Sequence, residues 1–247
     1  KIKNLMKLLN LLIKAIKLLK NQKTRKGLLN NIAANIELED LVKDLKFQTV
    51  FDIGSNKGQF ILLIEKLFPN KVVYSFEPIN EMINKQKKFF EYNKNLIFHN
   101  IALGSSIASK DLLITNRMDS SSFLKVEVDT GKSNNYTVVE KRNIKVSTLD
   151  DIFLNENISH PILIKMDVQG YELEVLKGAN DLLKKTDYLL LEVSESEMYQ
   201  NQPTEKIIVE YLKNFNFEIY RSNDWLKIQN TNFNQRDIIF HKKKMNK

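Results

Sequence analysis

The chain has 247 residues, 43% hydrophobic and 28% charged, enough for one α/β domain with a substantial core plus an appendage. It contains no cysteine, which excludes a disulfide framework and a thiolate metal site and suits a reducing cytoplasm. The net charge of +8 is uneven: nine Lys/Arg and no acid lie in residues 1–26 and four lysines in 242–247, leaving 25 basic against 30 acidic residues between them. An acidic body argues against nucleic acid as the partner.

Residues 1–20 place Ile2, Leu5, Met6, Leu9, Leu12, Ile13, Ile16 and Leu19 at helical spacing, with Lys3, Lys7, Lys14 and Lys17 opposite. Lysines interrupt every apolar run too early for a membrane span, and no cleaved-signal pattern is present. Two arrangements are expected for this helix. It lies peripherally on an anionic membrane through residues 1–26, or it packs on the domain or a partner. The expected location is cytoplasmic, at the inner membrane face on the first of these. Residues 21–35 read as a polar connector, and 36–45 as a helix leading to the first strand.

Val50, Phe51 and Ile53 then form an apolar strand that enters the turn Asp52-Ile-Gly-Ser-Asn-Lys-Gly58, and a helix is expected over 57–68. A strand that turns on glycines into a helix offers free backbone N–H groups and a positive dipole end to a ligand. The second strand, 72–76, leads to Glu77, where a carboxylate can accept from both ribose hydroxyls. These features predict a nucleoside-cofactor site. A dinucleotide fingerprint reads G-x-G-x-x-G, whereas this turn reads D-x-G-x-x-x-G. Asp52 would repel a pyrophosphate and attract an ammonium. S-adenosylmethionine carries an ammonium, a ribose and a sulfonium without phosphate, so the charges favour it over NAD.

Further strands are expected at 96–101, 162–167 and 187–193, and helices at 79–92, 171–184 and 204–214. This alternation predicts a mostly parallel sheet. Residues 104–149 break the rhythm with short alternating runs at 111–115, 122–128, 136–140 and 143–147, an antiparallel insertion that reads equally as a substrate lid or a decorative hairpin. A terminal hairpin is expected around 225–229 and 237–241. Asp52, Glu77, Asn100, Asp167 and Glu192 each close a predicted strand and should converge on one crevice, with Glu172 on the first turn of the next helix. His99, His160 and His241 show no metal spacing, and Ser120–Ser122 reads as loop within reach of a ligand.

The motifs Asp52-Ile-Gly-Ser-Asn-Lys-Gly58, Phe76-Glu-Pro78, Asn100-Ile-Ala-Leu103, Ser147-Thr-Leu-Asp150 and Lys165-Met-Asp-Val-Gln-Gly-Tyr-Glu172 occur in that order. Together they resemble the FkbM family of S-adenosylmethionine-dependent methyltransferases, from about residue 47 to residue 195. Ser55 stands where the family usually has alanine, and Gln169 where it usually has glutamate.

The resemblance implies a Rossmann-like class I methyltransferase fold: a mostly parallel seven-stranded sheet with helices on both faces, an antiparallel last strand and a β insertion before strand four. Residues 36–247 would form that domain, with the insertion at 104–149, and 1–35 the basic helix and connector. It implies methyl transfer to a hydroxyl of a sugar, glycan or small natural product. Asp52, Gly54, Ser55, Asn56 and Gly58 would border the methionine end of the cofactor, Glu77 the ribose, and Asn100 with Ala102 the adenine.

An alcohol needs a general base, and Asp167 is the expected one, with Glu172 and Glu192 as alternatives. No resident metal is expected, although Asp167 and Glu192 offer oxygens that suit Mg²⁺. Competing readings are a nucleic-acid methyltransferase of the same fold, a dinucleotide-dependent oxidoreductase and a non-catalytic cofactor-binding module.

Overall fold

The computed structural model describes residues 12–126, 136–228 and 231–243. The chain is helical over 12–20 (α1) and again over Gln22–Leu29 (α2). Residues 1–11 of the expected N-terminal helix lie outside the described residues. The expected connector therefore begins with a second helix, for a local reason. Asn21 Oδ1 accepts from the backbone N–H of Lys23 (2.9 Å) and Thr24 (3.3 Å), which satisfies donors a helix start leaves open. The buried Thr24 hydroxyl bonds back to the Leu18 carbonyl and ties the two helices together. A short turn at Ile36–Leu38 and helix α3 (Glu39–Val42) follow.

Strand β1 (Thr49–Ile53) is buried at every residue, because β2 (Val72–Phe76) and β7 (Ile162–Met166) flank it in parallel and helices cover both faces. Its Val50 side joins a cluster with Phe60, Leu62 and Phe90, while its Phe51 side joins Phe76, Phe153 and Leu191. Helices α4 (Gln59–Leu67) and α5 (Asn80–Phe89) make the first two crossovers, and β3 (Leu96–His99) closes that edge beside β2. Beyond β7, β8 (Tyr188–Ser194) is parallel, and β11 (Asn234–Lys242) runs antiparallel to β8. The strand order β3-β2-β1-β7-β8-β11 ends with β9 (Phe217–Ser222) and the two-residue β10 (Leu226–Lys227), both paired to β11. This is the class I methyltransferase sheet, with its antiparallel last strand.

Two details differ from the expectation. The sheet counts eight strands because β9 was not anticipated and β10 extends the same outer edge. Edge strand β9 buries only Phe217 fully, so its sequence lacks the apolar run of an interior strand. The helix expected over 171–184 is split into α7 (Glu172–Lys177) and α8 (Asn180–Lys185). The break lies at Gly178, where any Cβ would overlap the Gly104 carbonyl. Asp150 completes it by accepting from the N–H of Asp181 (3.0 Å) and Leu182 (2.9 Å), so the Thr-Leu-Asp motif caps α8.

The insertion is a separate three-stranded sheet. β4 (Ala102–Leu103) pairs in parallel with β6 (Val138–Ser147), which pairs antiparallel with β5 (Ala108–Thr115). The two runs expected at 136–140 and 143–147 are thus one strand, and residues 127–135 lie outside the described residues. Helix α6 (Leu149–Ile152) leads back to β7, and α9 (Glu205–Lys213) connects β8 to β9.

Candidate active site

The carboxyl ends of β1, β2, β7 and β8 open into a cavity of about 490 Å³. Glu77, Asp167 and Glu192 line it, as do Gly54, Ser55, Asn56 and Ala102. Residues 117–123 of the insertion form another wall, so this segment covers the site. Among the residues expected here, Asp52, Gly58, Asn100 and Glu172 do not line the cavity.

Their positions have physical causes. The Asp52 side chain is fully buried, and its Oδ1 sits 3.1 Å from the Lys165 ammonium. Burial pushes the Asp52 carboxyl above its ordinary value, and Lys165 opposes the shift. Burial also disfavours the Lys165 charge, but Asp52, Asp167 and Glu192 outweigh this and hold the ammonium protonated well above its usual range. Lys165 therefore takes the place expected for a cofactor ammonium. Glu172 turns inward: its Oε1 accepts from the N–H of Val168 (3.0 Å) and Gly170 (3.3 Å), which fixes the loop after β7 and removes Glu172 as a candidate base. Burial raises its pKa to about 7. Asn100 donates to the carbonyls of Glu77 (2.9 Å) and Pro78 (3.2 Å), so it braces the Glu77 loop from outside. Gly58 starts α4 in a left-handed conformation against Phe90.

The turn 54–58 also differs from expectation. All five of its backbone N–H groups have partners inside the protein. Gly54 and Ser55 donate to the Phe76 carbonyl (3.0 and 3.1 Å), Asn56 to Glu77 Oε2 (2.8 Å), Lys57 to Gln59 Oε1 (3.0 Å) and Gly58 to the Ser55 carbonyl (2.8 Å). No nest of free donors remains in the turn for a phosphate. The Ser55 hydroxyl faces away from the cavity into a buried network with Ser75 (2.8 Å) and Gln86 (2.8 Å), which accounts for serine at a usual alanine position. Gln86 itself gave no signal in the sequence, since a glutamine on a helix is ordinarily a surface residue.

At Gly54, φ is +72° and a Cβ would overlap the Asp167 carbonyl oxygen. The ends of β1 and β7 approach this closely only because the side chain is absent. Gly54→Ala is expected to cost at least about 2 kcal/mol of stability, measured by urea unfolding, through positive φ and overpacking together.

Glu77 is buried and each oxygen already accepts one backbone N–H, from Asn56 (2.8 Å) and Ile79 (2.8 Å). These bonds aim its remaining lone pairs, while burial raises its pKa to about 7. The buried Asn56 Oδ1, on the cavity wall, has no hydrogen-bond partner among the described residues. An open acceptor beside the Glu77 carboxylate calls for a ligand rich in donors. S-adenosylmethionine fits that description.

Asp167 is held at the rim by residues the sequence left unassigned. Gln169 Nε2 donates to Asp167 Oδ1 (2.7 Å), and the buried Tyr199 hydroxyl donates to Gln169 Oε1 (2.7 Å). Asp167 Oδ2 lies 3.7 Å from Lys165 Nζ, too long for a hydrogen bond. Gln169 therefore explains itself: its amide can donate to Asp167, which a glutamate carboxylate could not. Glu192 accepts from Gln235 Nε2 (2.8 Å), and burial with Asp167 and Asp237 nearby pushes its pKa well above the carboxylate range. Among the described residues no group of three His, Cys, Asp or Glu is arranged to hold a metal.

The strand order, with a cavity at the strand ends where Glu77, Asp167 and Glu192 stand beside Lys165 and Arg117, is that of a class I methyltransferase. Residues 52–219 match the family described as Methyltransferase FkbM domain. The chain belongs to the FkbM methyltransferase family.

It is 26% identical over 183 residues to Methyltransferase 1 of Beauveria bassiana, covering 61% of this chain and 71% of that one. Identity to the 2-O-methyltransferase NoeI of Sinorhizobium fredii is 33% over 73 residues, 30% of each chain. Identity to the hexuronic acid methyltransferase AglP of Haloferax volcanii is 22% over 156 residues, 63% of this chain and 59% of that one. A solved magnesium protoporphyrin IX methyltransferase from Synechocystis superposes with a TM-score of 0.47 and 13% identity, covering 90% of this chain and 85% of that one.

Proposed function

We propose that this chain methylates a hydroxyl of a sugar, a glycan or a small natural product. The observation that carries the proposal is the Asp167 carboxylate at the cavity wall, with one oxygen fixed by Gln169 and the other without a hydrogen bond among the described residues. NoeI, a 2-O-methyltransferase, and AglP, a hexuronic acid methyltransferase, support the same acceptor class.

S-adenosylmethionine supplies a methyl carbon already activated by its sulfonium. Glu77 would hold the ribose through oxygens fixed by the Asn56 and Ile79 N–H groups. Asn56 Oδ1 would accept from the ammonium. Asp167 orients the acceptor hydroxyl and takes its proton at Oδ2, a general-base contribution of about 10²–10⁴-fold. Glu192 is the weaker candidate, because Gln235 already donates to one of its oxygens and burial pushes its pKa well above the carboxylate range, which favours the form that cannot take a proton. Residues 117–123 exclude water and shape the acceptor subsite.

Calorimetry with S-adenosylhomocysteine and with NAD tests the cofactor assignment, and binding of the first alone is expected. Incubating nucleotide sugars and glycan precursors with a labelled methyl donor tests the acceptor; label on a sugar oxygen is expected, and label entering only RNA would overturn the proposal.

Glu77→Ala should weaken S-adenosylhomocysteine binding by about 1.5–3 kcal/mol, the range for hydrogen bonds to a charged group. In the wild type the affinity should fall as pH drops through about 7, because protonating Glu77 removes the acceptor that ligand binding favours. Titration calorimetry across that interval measures both effects; a flat profile would place the ribose elsewhere.

A further inference from the structure

The N-terminal helix has two unlike sides. Leu18 on α1 is buried in the core cluster with Ile32 and Phe60, and Lys14 Nζ pairs with Glu37 Oε2 at 2.7 Å. That side is fastened to the domain. Leu12, Ile16 and Leu19, spaced i, i+4 and i+7, form a stripe on another side and are 57%, 46% and 52% exposed. The structure thus separates the two arrangements expected from the sequence: the helix packs on the domain and still turns an apolar stripe to solvent. Among the described residues nothing covers this stripe.

Charge identifies what can cover it. Residues 1–26 contain nine Lys/Arg and no acid, and Lys20, Lys23, Arg25 and Lys26 follow the stripe directly. A second copy of the chain would bring the same nine positive charges face to face, so self-association is opposed. The remainder of the protein, with 25 basic and 30 acidic residues up to residue 241, gains nothing from an anionic surface. Residues 1–26 combine this apolar stripe with a run of basic residues that no acid interrupts in sequence. A peripheral membrane helix needs that combination: apolar residues enter the headgroup–acyl boundary while lysines remain among anionic headgroups.

We propose that α1 docks this protein on an anionic lipid bilayer through Leu12, Ile16 and Leu19. The docking helix is linked to the active site. Glu37, which holds Lys14, also accepts from Asn35 Nδ2 (3.0 Å), and Asn35 lines the cavity. The cavity rim therefore stands two side chains from the bilayer-facing helix.

The experiment is flotation of the full chain with vesicles of phosphatidylcholine, alone or with one quarter phosphatidylglycerol. Wild type should bind the anionic vesicles, release them as salt rises and ignore the neutral ones. Leu12→Gln/Ile16→Gln/Leu19→Gln should lower partitioning at least about tenfold, because it removes the buried apolar term. S-adenosylhomocysteine binding by that variant should match wild type, which shows the domain is folded and leaves the catalytic assignment apart from this test. An Ile16→Trp protein supplies a second readout: its emission should shift blue and be quenched by brominated lipid. Equal flotation of wild type and triple variant, or an Ile16→Trp signal indifferent to vesicles, overturns the proposal. So does a wild-type dimer in sedimentation that the triple variant dissolves, since it assigns the stripe to a second copy.

Discussion

Lys165→Met should destabilise the fold by about 3–5 kcal/mol, the cost of leaving a buried charge without its partner. For a domain of this size that lowers the melting temperature on the order of 10 °C. Asp52 is fully buried, and Lys165 at 3.1 Å is its counter-ion. The pH dependence gives the mechanism a signature. In the variant, the Asp52 carboxyl has a folded pKa above its unfolded value, so the folded state binds the extra proton. Stability contributed by such a group is present at low pH and lost as pH rises. The deficit relative to wild type should therefore shrink on acidification. Asp52→Asn/Lys165→Met, which removes both charges, should recover most of the loss, and thermal scans at several pH values measure all three proteins. A single variant as stable as wild type would show that the pair has no structural role.

Asp167→Asn should leave S-adenosylhomocysteine affinity within about threefold of wild type and reduce turnover by about 10²–10⁴-fold. The amide keeps the shape and can still meet Gln169, yet it cannot take a proton. Loss confined to turnover identifies the base, whereas an equal loss in affinity would make Asp167 a cofactor ligand. A variant at full speed would pass the role to another group. Steady-state methyl transfer together with calorimetry separates these outcomes.

How far the sequence reached depends on what each residue touches. Interior strands β1, β7 and β8 are continuous apolar runs, and their ends carry acids, so strands and cavity were both readable from local pattern. Edge strand β9 faces solvent over most of its length and lacks that pattern. The division of α7 from α8 was hidden because it depends on Gly178 meeting Gly104, a contact across 74 residues. Side-chain direction was the larger loss. Asp52, Glu77, Asp167 and Glu192 share a strand-end position in sequence, yet Asp52 points behind the wall and the other three line it. Tyr199 meets Gln169 and Gln86 meets Ser55 and Asn56 across 30 or 31 residues, in tertiary contacts that spacing along the chain does not encode.

The Lys165–Asp52 pair has a bearing on how a catalytic cycle ends. With a counter-ion of its own, Asp52 stays behind the cavity wall, and Lys165 is the member of the pair that lines the cavity. On the proposed mechanism the charge that changes is at the rim: Asp167 begins as an anion facing a cation and finishes protonated beside a neutral thioether. The attraction that gathers the reactants is spent in the same event that makes the product. On that mechanism the product is held less tightly than the reactants, which favours its release.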